Sequence, residues 1–414
     1  MIKITEIIKQ LPPMKTGNEL VSDLAVLPEY DSSICKENDA IRLMALSDLY
    51  RIYVPSKMSL EIYSKLYLAL LRSLQKKGTQ LVMEQQKQNY KAIRLQDYRG
   101  IIGGSDSFTI IGTSGIGKSS AISRAIGLIT ENRIIEVDEP YTRIIPVLCV
   151  QCPFDSSVKG LLLEILRKVD EYLESNYYEN AIKRKSTADA LIGCVSQIAL
   201  NHIGILIVDE IQNVVNSKNG KSLVGVLTQL INNSGISICM VGTPESSVFF
   251  EQAMQLARRS LGLQYGEMEF GTEFIELCRI LFAYQYVRKN TEITDAVIEW
   301  LYEHSGGNVS VVLSLIHDAQ EIAILSGKEV LNMETLREAY QKRLSLLHGY
   351  INPGVKRNRQ TSKKKNESIK ITTADSCDTN DMVTIADLVA KAKCSNADIV
   401  KLLKEHMEVV EVVL

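Results

Sequence analysis

Neither sign of charge is in excess in this chain. Lys and Arg number 47 against 49 Asp and Glu, a net charge of -2. That balance argues against a wholly basic nucleic-acid coat protein and leaves room for a local basic surface. No apolar run approaches the ~18 residues that a bilayer-spanning helix needs, so no membrane partner is expected. The first residues, Met1-Ile-Lys-Ile-Thr-Glu-Ile-Ile-Lys9, mix charged with apolar side chains and lack the apolar centre and small-residue cleavage site of an export signal. The eight cysteines form no framework, and without an export signal the expectation is reduced thiols in a cytoplasm. Cys149 and Cys152 make one C-x-x-C, but the segment around Cys149 reads as a strand, on which side chains three apart point to opposite faces. No second Cys or His pair follows, so two core cysteines are expected there rather than a metal site. No repeat of fixed period is present.

What is there is a long soluble chain with a recognisable phosphate site. Its 414 residues, 45% hydrophobic, suffice for a sizeable core and about two to four domains. Gly112, Thr113, Ser114, Gly115, Ile116, Gly117, Lys118 and Ser119 fit G-x-x-x-x-G-K-[ST], the P-loop signature. Ser107–Ile111 before it reads as a short buried strand, and Ser120 to Ile129 after it as a helix, the context the motif requires. Glycines let such a loop curl so that backbone N–H groups face a phosphate chain. The following helix adds its positive N-terminal end. Lys118 is placed to reach the β- and γ-phosphates and Ser119 to ligate Mg²⁺, with Ser120 beside them.

The pattern along the chain changes twice. Residues 1–99 are mainly helical in period after a turn-rich Leu11–Gly17; Leu60–Leu74 carries apolar residues at helical spacing, its Tyr63 and Tyr67 reading as core. From residue 100 short β-branched runs alternate with helical stretches: Phe108–Ile111, Ile144–Val150, Ile203–Val208 and Ile236–Val241. Such runs are expected of parallel strands covered on both faces, joined by right-handed crossovers, with nucleotide at the carboxyl ends of the strands. The fold class is therefore α/β, a P-loop core over 100–271 with a parallel sheet and an edge strand at Gly266–Phe270. After Gly271 only helical patterns follow, Thr272–Tyr286, Thr294–His304, Val309–Leu325 and Asn332–Leu346, a helical lid subdomain over 272–350. Lys356–Lys365 has no apolar residue; 351–382 reads as a basic, polar, flexible linker. A short helical tail at 383–414 closes the chain, with helices at Thr384–Ala392 and Asn396–His406.

Hydrolysis needs a metal partner and a group that activates water. Ile203-Gly-Ile-Leu-Ile-Val-Asp209-Glu210 supplies both: an apolar strand delivers two carboxylates at its carboxyl end. Asp209 would orient Mg²⁺ and Glu210 would polarise the attacking water as general base. The fourth strand ends Met240-Val-Gly-Thr243-Pro-Glu245. Thr243 is a candidate for bonding the γ-phosphate or the lytic water, and the same residues also read as a strand-ending turn built on Gly242 and Pro244. Arg258 and Arg259 lie in a helical pattern. A guanidinium suits a γ-phosphate and an arginine from a neighbouring subunit would complete the site on assembly; the pair also reads as solvated charge favoured at a helix C-terminus.

Together these stretches resemble the AAA+ ATPases and, more narrowly, the TnsC/TniB family, the ATPase regulators of TnsABC-type bacterial transposons. The resemblance rests on Ile111–Ser119 with Arg124 in the next helix, on Val150-Gln-Cys-Pro153-Phe-Asp-Ser156-Ser-Val-Lys159-Gly160-Leu161, on Val208-Asp-Glu-Ile-Gln212-Asn, on Val241-Gly-Thr-Pro-Glu245 and on Ala257-Arg-Arg259. It covers roughly residues 100 to 345. It implies ATP and Mg²⁺ as ligands, a homo-oligomeric ring or helical filament on duplex DNA without sequence specificity, and a bacterial cytoplasmic, nucleoid-associated location. It further implies transposase subunits and a TniQ/TnsD-type target selector as partners, with hydrolysis driving disassembly. By the same resemblance Thr243 becomes the γ-phosphate sensor and Arg258 or Arg259 the finger given in trans. One departure stands out: many AAA+ lids carry a nucleotide-sensing Arg after a Gly-rich turn, whereas Ser305-Gly-Gly-Asn-Val-Ser-Val-Val312 has none.

DNA contact is assigned to Lys159 and to Lys183, Arg184 and Lys185, cations able to neutralise phosphates without reading sequence. A charge run also reads as a solvated face, and Lys356–Lys365 reads either as a DNA contact or as a spacer. Two other functions share the ATP site. An AAA+ replication initiator or loader needs a sequence-reading module, for which the tail is short. An ATP-switched signalling scaffold would be indifferent to DNA.

Overall fold

The period-2 burial of the apolar runs is realised literally. In the computed structural model, successive strand residues enter opposite cores, as Leu206 and Val208 do on one face of their strand and Ile205 and Ile207 on the other. The structure describes residues 4–77, 84, 87, 107–138, 141–214, 220–247 and 262–345. The expected linker at 351–382, the tail at 383–414 with its two helices, and Arg258 and Arg259 lie outside the described residues.

Among the described residues, four α-helices precede the first strand: α1 (Ile4–Lys9), α2 (Gly17–Leu24), α3 (Asp39–Ala45) and α4 (Lys57–Lys77). The central region runs β1 (Phe108–Gly112), α5 (Lys118–Thr130), β2 (Ile135–Asp138), β3 (Tyr141–Gln151), α6 (Val158–Leu173), α7 (Tyr177–Lys183), α8 (Ala188–His202), β4 (Ile203–Asp209), α9 (Gly220–Ser234), β5 (Ser237–Gly242) and β6 (Leu263–Tyr265). Then come α10 (Thr272–Ala283), α11 (Asp295–Ser305), α12 (Val309–Leu325) and α13 (Met333–Arg343).

Among the described residues the sheet has six strands, in the order β2-β3-β4-β5-β1-β6. Two features differ from expectation, one in strand direction and one in strand position. β2 is antiparallel to β3, with Ile135 opposite Ile144 and Asp138 opposite Tyr141; it is a hairpin partner made by local chain reversal and needs no crossover helix. The edge strand is Leu263–Tyr265, parallel to β1, and Gly266–Phe270 is not a strand. It stops because Met268 turns away to donate its N–H to the Gly307 carbonyl at 3.1 Å.

One sheet face is covered by α6, α8 and α9, the other by α1, α2, α4 and α5. Tyr63 and Tyr67 on α4 are buried there; the Tyr67 hydroxyl donates to the Pro12 carbonyl and the Tyr63 hydroxyl accepts from the Lys15 N–H. Of the two C-x-x-C cysteines only Cys152 is buried; Cys149 is exposed, because the strand alternation that separates their faces leaves one of them uncovered. The helices after residue 272 form a separate core around Phe274, Leu301, Leu315 and Leu336, into which the N-terminal segment inserts Leu46 and Leu49.

The N-terminal segment is also bound by charge to the helices after residue 272. Arg42 on α3 is completely buried. Its Nη1 and Nη2 each lie 2.7 Å from an oxygen of Glu329, and it also donates to Asp39 at 2.6 Å and to the Tyr286 carbonyl at 3.1 Å. The guanidinium holds the Glu329 carboxyl below its ordinary 4.5. Arg42→Met is expected to cost about 2 kcal/mol in urea denaturation, because the half-buried Glu329 carboxylate loses its main partner and keeps only the Arg288 N–H at 3.2 Å and the Arg288 guanidinium at 3.7 Å. The pH dependence follows from the lowered carboxyl: its contribution is complete above 4.5 and is lost as pH falls through the folded-state value. Wild type should therefore lose stability below that pH more steeply than the Met variant.

Candidate nucleotide site

The site is assembled by three strand ends lying side by side. β1 pairs with β5 and β5 with β4, all parallel, so Gly112, Gly242 and Asp209 emerge at one edge of the sheet. The loop after β1 is bent by glycines with positive φ, +83° at Gly115 and +93° at Gly117, a region that costs other residues energy. Gly117 is the N-cap of α5 and has no side chain to cap with, leaving first-turn N–H groups for a ligand. At Gly112 a Cβ would meet the Ile116 Cδ1 at 2.7 Å and the Tyr265 carbonyl at 2.9 Å, so the turn closes only with glycine.

Lys118 opens α5 with its ammonium turned back over the loop, donating to the carbonyls of Gly112 at 2.6 Å and Thr113 at 2.8 Å. Burial pulls its pKa below the ordinary lysine value, and the carboxylates of Asp209, Glu210 and Glu245 oppose that shift. The Ser119 hydroxyl donates to Asp209 Oδ2 at 3.3 Å across 90 residues of sequence. A hydroxyl beside a carboxylate is an all-oxygen set of the kind a hard divalent cation takes, so these residues fit Mg²⁺. Thr113 Oγ1 is buried with no partner among the described residues. Ser114 and Ser120 are exposed on the rim.

Glu210 has a left-handed backbone, φ +58°, a strained conformation for a non-glycine residue of the type found at functional sites. Its N–H donates to Asp209 Oδ1 at 2.8 Å, and its carboxylate accepts from the Gln212 amide. Thr243 follows β5, and its hydroxyl donates to the Glu245 carboxylate. That bond, the Glu245 N–H and then Lys118 hold Glu245 below the usual carboxylate range. The sensor candidate is thus already engaged by a neighbouring acid.

A cavity of about 400 Å³ joins these groups to a second wall. Lys118, Ser119, Asp209, Glu210, Gln212 and Thr243 line one side; Ile52, Tyr53, Val54, Leu277, Leu281 and Leu313 line the other. The second wall comes from an extended segment before α4 and from α10 and α12, and no local motif marks it. Tyr53 is pinned there by a backbone bridge to Val26 and by its hydroxyl on Ser59 at 2.6 Å. An apolar slot beside a phosphate cradle suits a nucleoside.

The proposed DNA-contacting cations lie apart from this cavity's lining. Lys159 is exposed in the first turn of α6, and Lys183, Arg184 and Lys185 are exposed at the turn between α7 and α8. Lys183 pairs with Glu179 at 3.0 Å. Among the described residues no helix is long and apolar enough to cross a membrane.

Residues 102–263 match the sequence model of the bacterial TniB protein family, a span that includes β1 to β5 and the carboxylates Asp209, Glu210 and Glu245. The fold itself is a mostly parallel sheet covered by helices on both faces. Solved structures similar to the chain include Drosophila ORC bound to DNA, at 16% identity over 80% of this chain and 69% of that chain with a TM-score of 0.45. The Aeropyrum pernix ORC1 protein in complex with DNA matches at 14% identity over 63% of this chain and 64% of that chain, TM-score 0.39. Domain III of the Thermotoga maritima replication initiation protein DnaA matches at 17% identity over 66% of this chain and 94% of that domain, TM-score 0.35. No curated protein sequence matches the chain.

Proposed function

We propose that this chain is an ATP-hydrolysing regulator of DNA transposition that assembles on duplex DNA and releases it after hydrolysis. The observation that carries the reading is the convergence of Lys118, Ser119, Asp209 and Glu210 on one cavity inside the TniB-matching segment. Ligand phosphates lie against the N–H groups of the 112–119 loop, and Lys118 balances their charge. Ser119 and Asp209 would hold Mg²⁺, which would supply positive charge to the phosphate oxygens. Glu210 takes a proton from the water that attacks the γ-phosphorus, and ADP leaves as the bond to the bridging oxygen breaks. Thr243, backed by Glu245, orients the γ-phosphate or that water. Arg258 or Arg259 enters from a neighbouring subunit, so turnover rises on assembly.

Duplex DNA lies against Lys159 and Lys183–Lys185 through phosphates alone, making binding indifferent to sequence and sensitive to salt. Transposase subunits and a TniQ/TnsD-type selector are the protein partners. The test is electron microscopy of purified protein with a random duplex, Mg²⁺ and a non-hydrolysable ATP analogue at low salt. Rings or filaments are expected with the analogue and few with ADP. Protein that stays monomeric under all these conditions overturns the reading, and selective retention of one short sequence turns it toward an origin-binding initiator.

A further inference from the structure

The lid lacks the arginine expected after its Gly-rich turn, and Asn308 occupies that turn instead. Its side chain does two separate jobs. Oδ1 caps α12, accepting from the N–H groups of Ser310 at 3.1 Å and Val311 at 3.4 Å. Nδ2 reaches across 194 residues of sequence to donate to the Ser114 carbonyl at 2.8 Å. The Ser310 N–H also donates to the Gly115 carbonyl at 3.0 Å. The fit is close: a Cβ on Gly115 would stand 2.6 Å from Asn308 Oδ1, and a Cβ on Gly307 would stand 2.1 Å from the Met268 carbonyl. The turn is thus wedged between the phosphate loop and the exit of β6.

The geometry of the peptide unit gives these bonds a consequence. In a trans peptide the C=O and the next N–H share a plane and point in opposite directions. The Ser114 carbonyl shares its plane with the Gly115 N–H, and the Gly115 carbonyl with the Ile116 N–H. Binding both carbonyls outward to the lid turns both N–H groups inward to the concave side of the loop. Glycine at position 115 has the widest choice of conformations, so without an external hold its planes are the first to rotate.

We infer that Asn308 is a positioning residue that, with the Ser310 N–H, holds the peptide planes at 114–116 in the phosphate-binding orientation, so that lid and nucleotide are coupled through the loop backbone and not through a charged lid side chain. This rests on the reading that the loop binds nucleotide phosphates. It carries a specific consequence. A lid arginine on the γ-phosphate would favour ATP alone, whereas held peptide planes serve ATP and ADP alike.

The test compares Asn308→Ser with Asn308→Ala in the full-length protein. Serine is as good an N-cap as asparagine but has no amide donor to reach Ser114. Losing one hydrogen bond should weaken ATP and ADP by the same factor of about five in Asn308→Ser, with a melting temperature lowered less than in Asn308→Ala, where the cap is lost as well. Asn308→Ala should lose both affinity and melting temperature. In nucleotide-free protein, amide hydrogen exchange over 113–117 should run faster in Asn308→Ser by a similar factor, with β3 and β4 unaffected.

Loss of ATP affinity alone would mean a γ-phosphate contact and overturn the inference. Wild-type affinity and exchange in Asn308→Ser would reduce Asn308 to a helix cap and overturn it too. If wild type binds neither nucleotide, the proposed function falls on that result, and the exchange measurement then decides the backbone hold by itself: unchanged exchange refutes it.

Discussion

Glu210→Gln is expected to lower ATP turnover about a thousandfold while leaving ATP affinity within about threefold of wild type, since a general base contributes roughly 10²–10⁴ to rate and little to ground-state binding. Glutamine keeps the volume and one carbonyl oxygen of the side chain, so the bond from Gln212 survives; only the capacity to accept a proton is removed. The strained backbone at φ +58° is part of the case. Glu210 is exposed, and its conformation is held by its N–H on Asp209 Oδ1 at 2.8 Å and by its carboxylate on the adjoining turn. Phosphate release under saturating ATP measures turnover, and equilibrium titration with a fluorescent analogue measures affinity. Because binding persists without hydrolysis, assemblies of this variant on duplex DNA should outlast those of wild type. Turnover within tenfold of wild type would show that another group takes the proton.

Gln212 bears on the same experiment. Its amide nitrogen holds Glu210 while its Oε1 is buried without a partner among the described residues. The carboxylate is therefore oriented by a residue two positions on, a relation the sequence displays but does not explain. The same holds across the site. The loop from Gly112 to Ser119 is legible because strand, glycine turn and helix are contiguous, and the pair Asp209–Glu210 because an apolar strand ends on it. The burial of successive strand residues on opposite faces makes the sheet legible for the same local reason.

The elements that were not legible depend on distant contacts. The slot wall at Ile52–Val54 is an extended segment in a region whose period is mainly helical, and its place is set by a bridge to Val26 and by the lid. β6 lies at Leu263–Tyr265 because Met268 is drawn to Gly307, a pairing that spacing alone does not announce. Asn308 reads in sequence as the absence of an arginine; only the fold reveals which carbonyl its amide reaches. Arg42 offers no signal beyond one cation in a short helix, and its burial follows from Glu329 far along the chain.

Lys118→Ala is expected to weaken ATP and ADP binding about a hundredfold, the scale of losing a charge-assisted contact of roughly 3 kcal/mol. In the structure the ammonium sits 2.6 Å from the Gly112 carbonyl and 2.8 Å from that of Thr113, so it is already fixed on the loop and loses little freedom when a phosphate arrives. Burial lowers its pKa while three carboxylates pull it back up. The pH dependence follows: affinity that needs the charged ammonium is complete below the lowered pKa and falls as pH rises through it. Wild-type affinity should thus decline at alkaline pH sooner than an unperturbed lysine would allow, and the alanine variant should lack that decline. Lys118→Arg should not restore binding, because a planar fork cannot occupy the point between two carbonyls that a compact ammonium fills. Isothermal titration of both nucleotides between neutral and alkaline pH measures wild type and both variants. Alanine and wild-type proteins that bind with equal affinity and equal pH dependence would remove Lys118 from the site and, with it, the phosphate-binding role of the loop it closes.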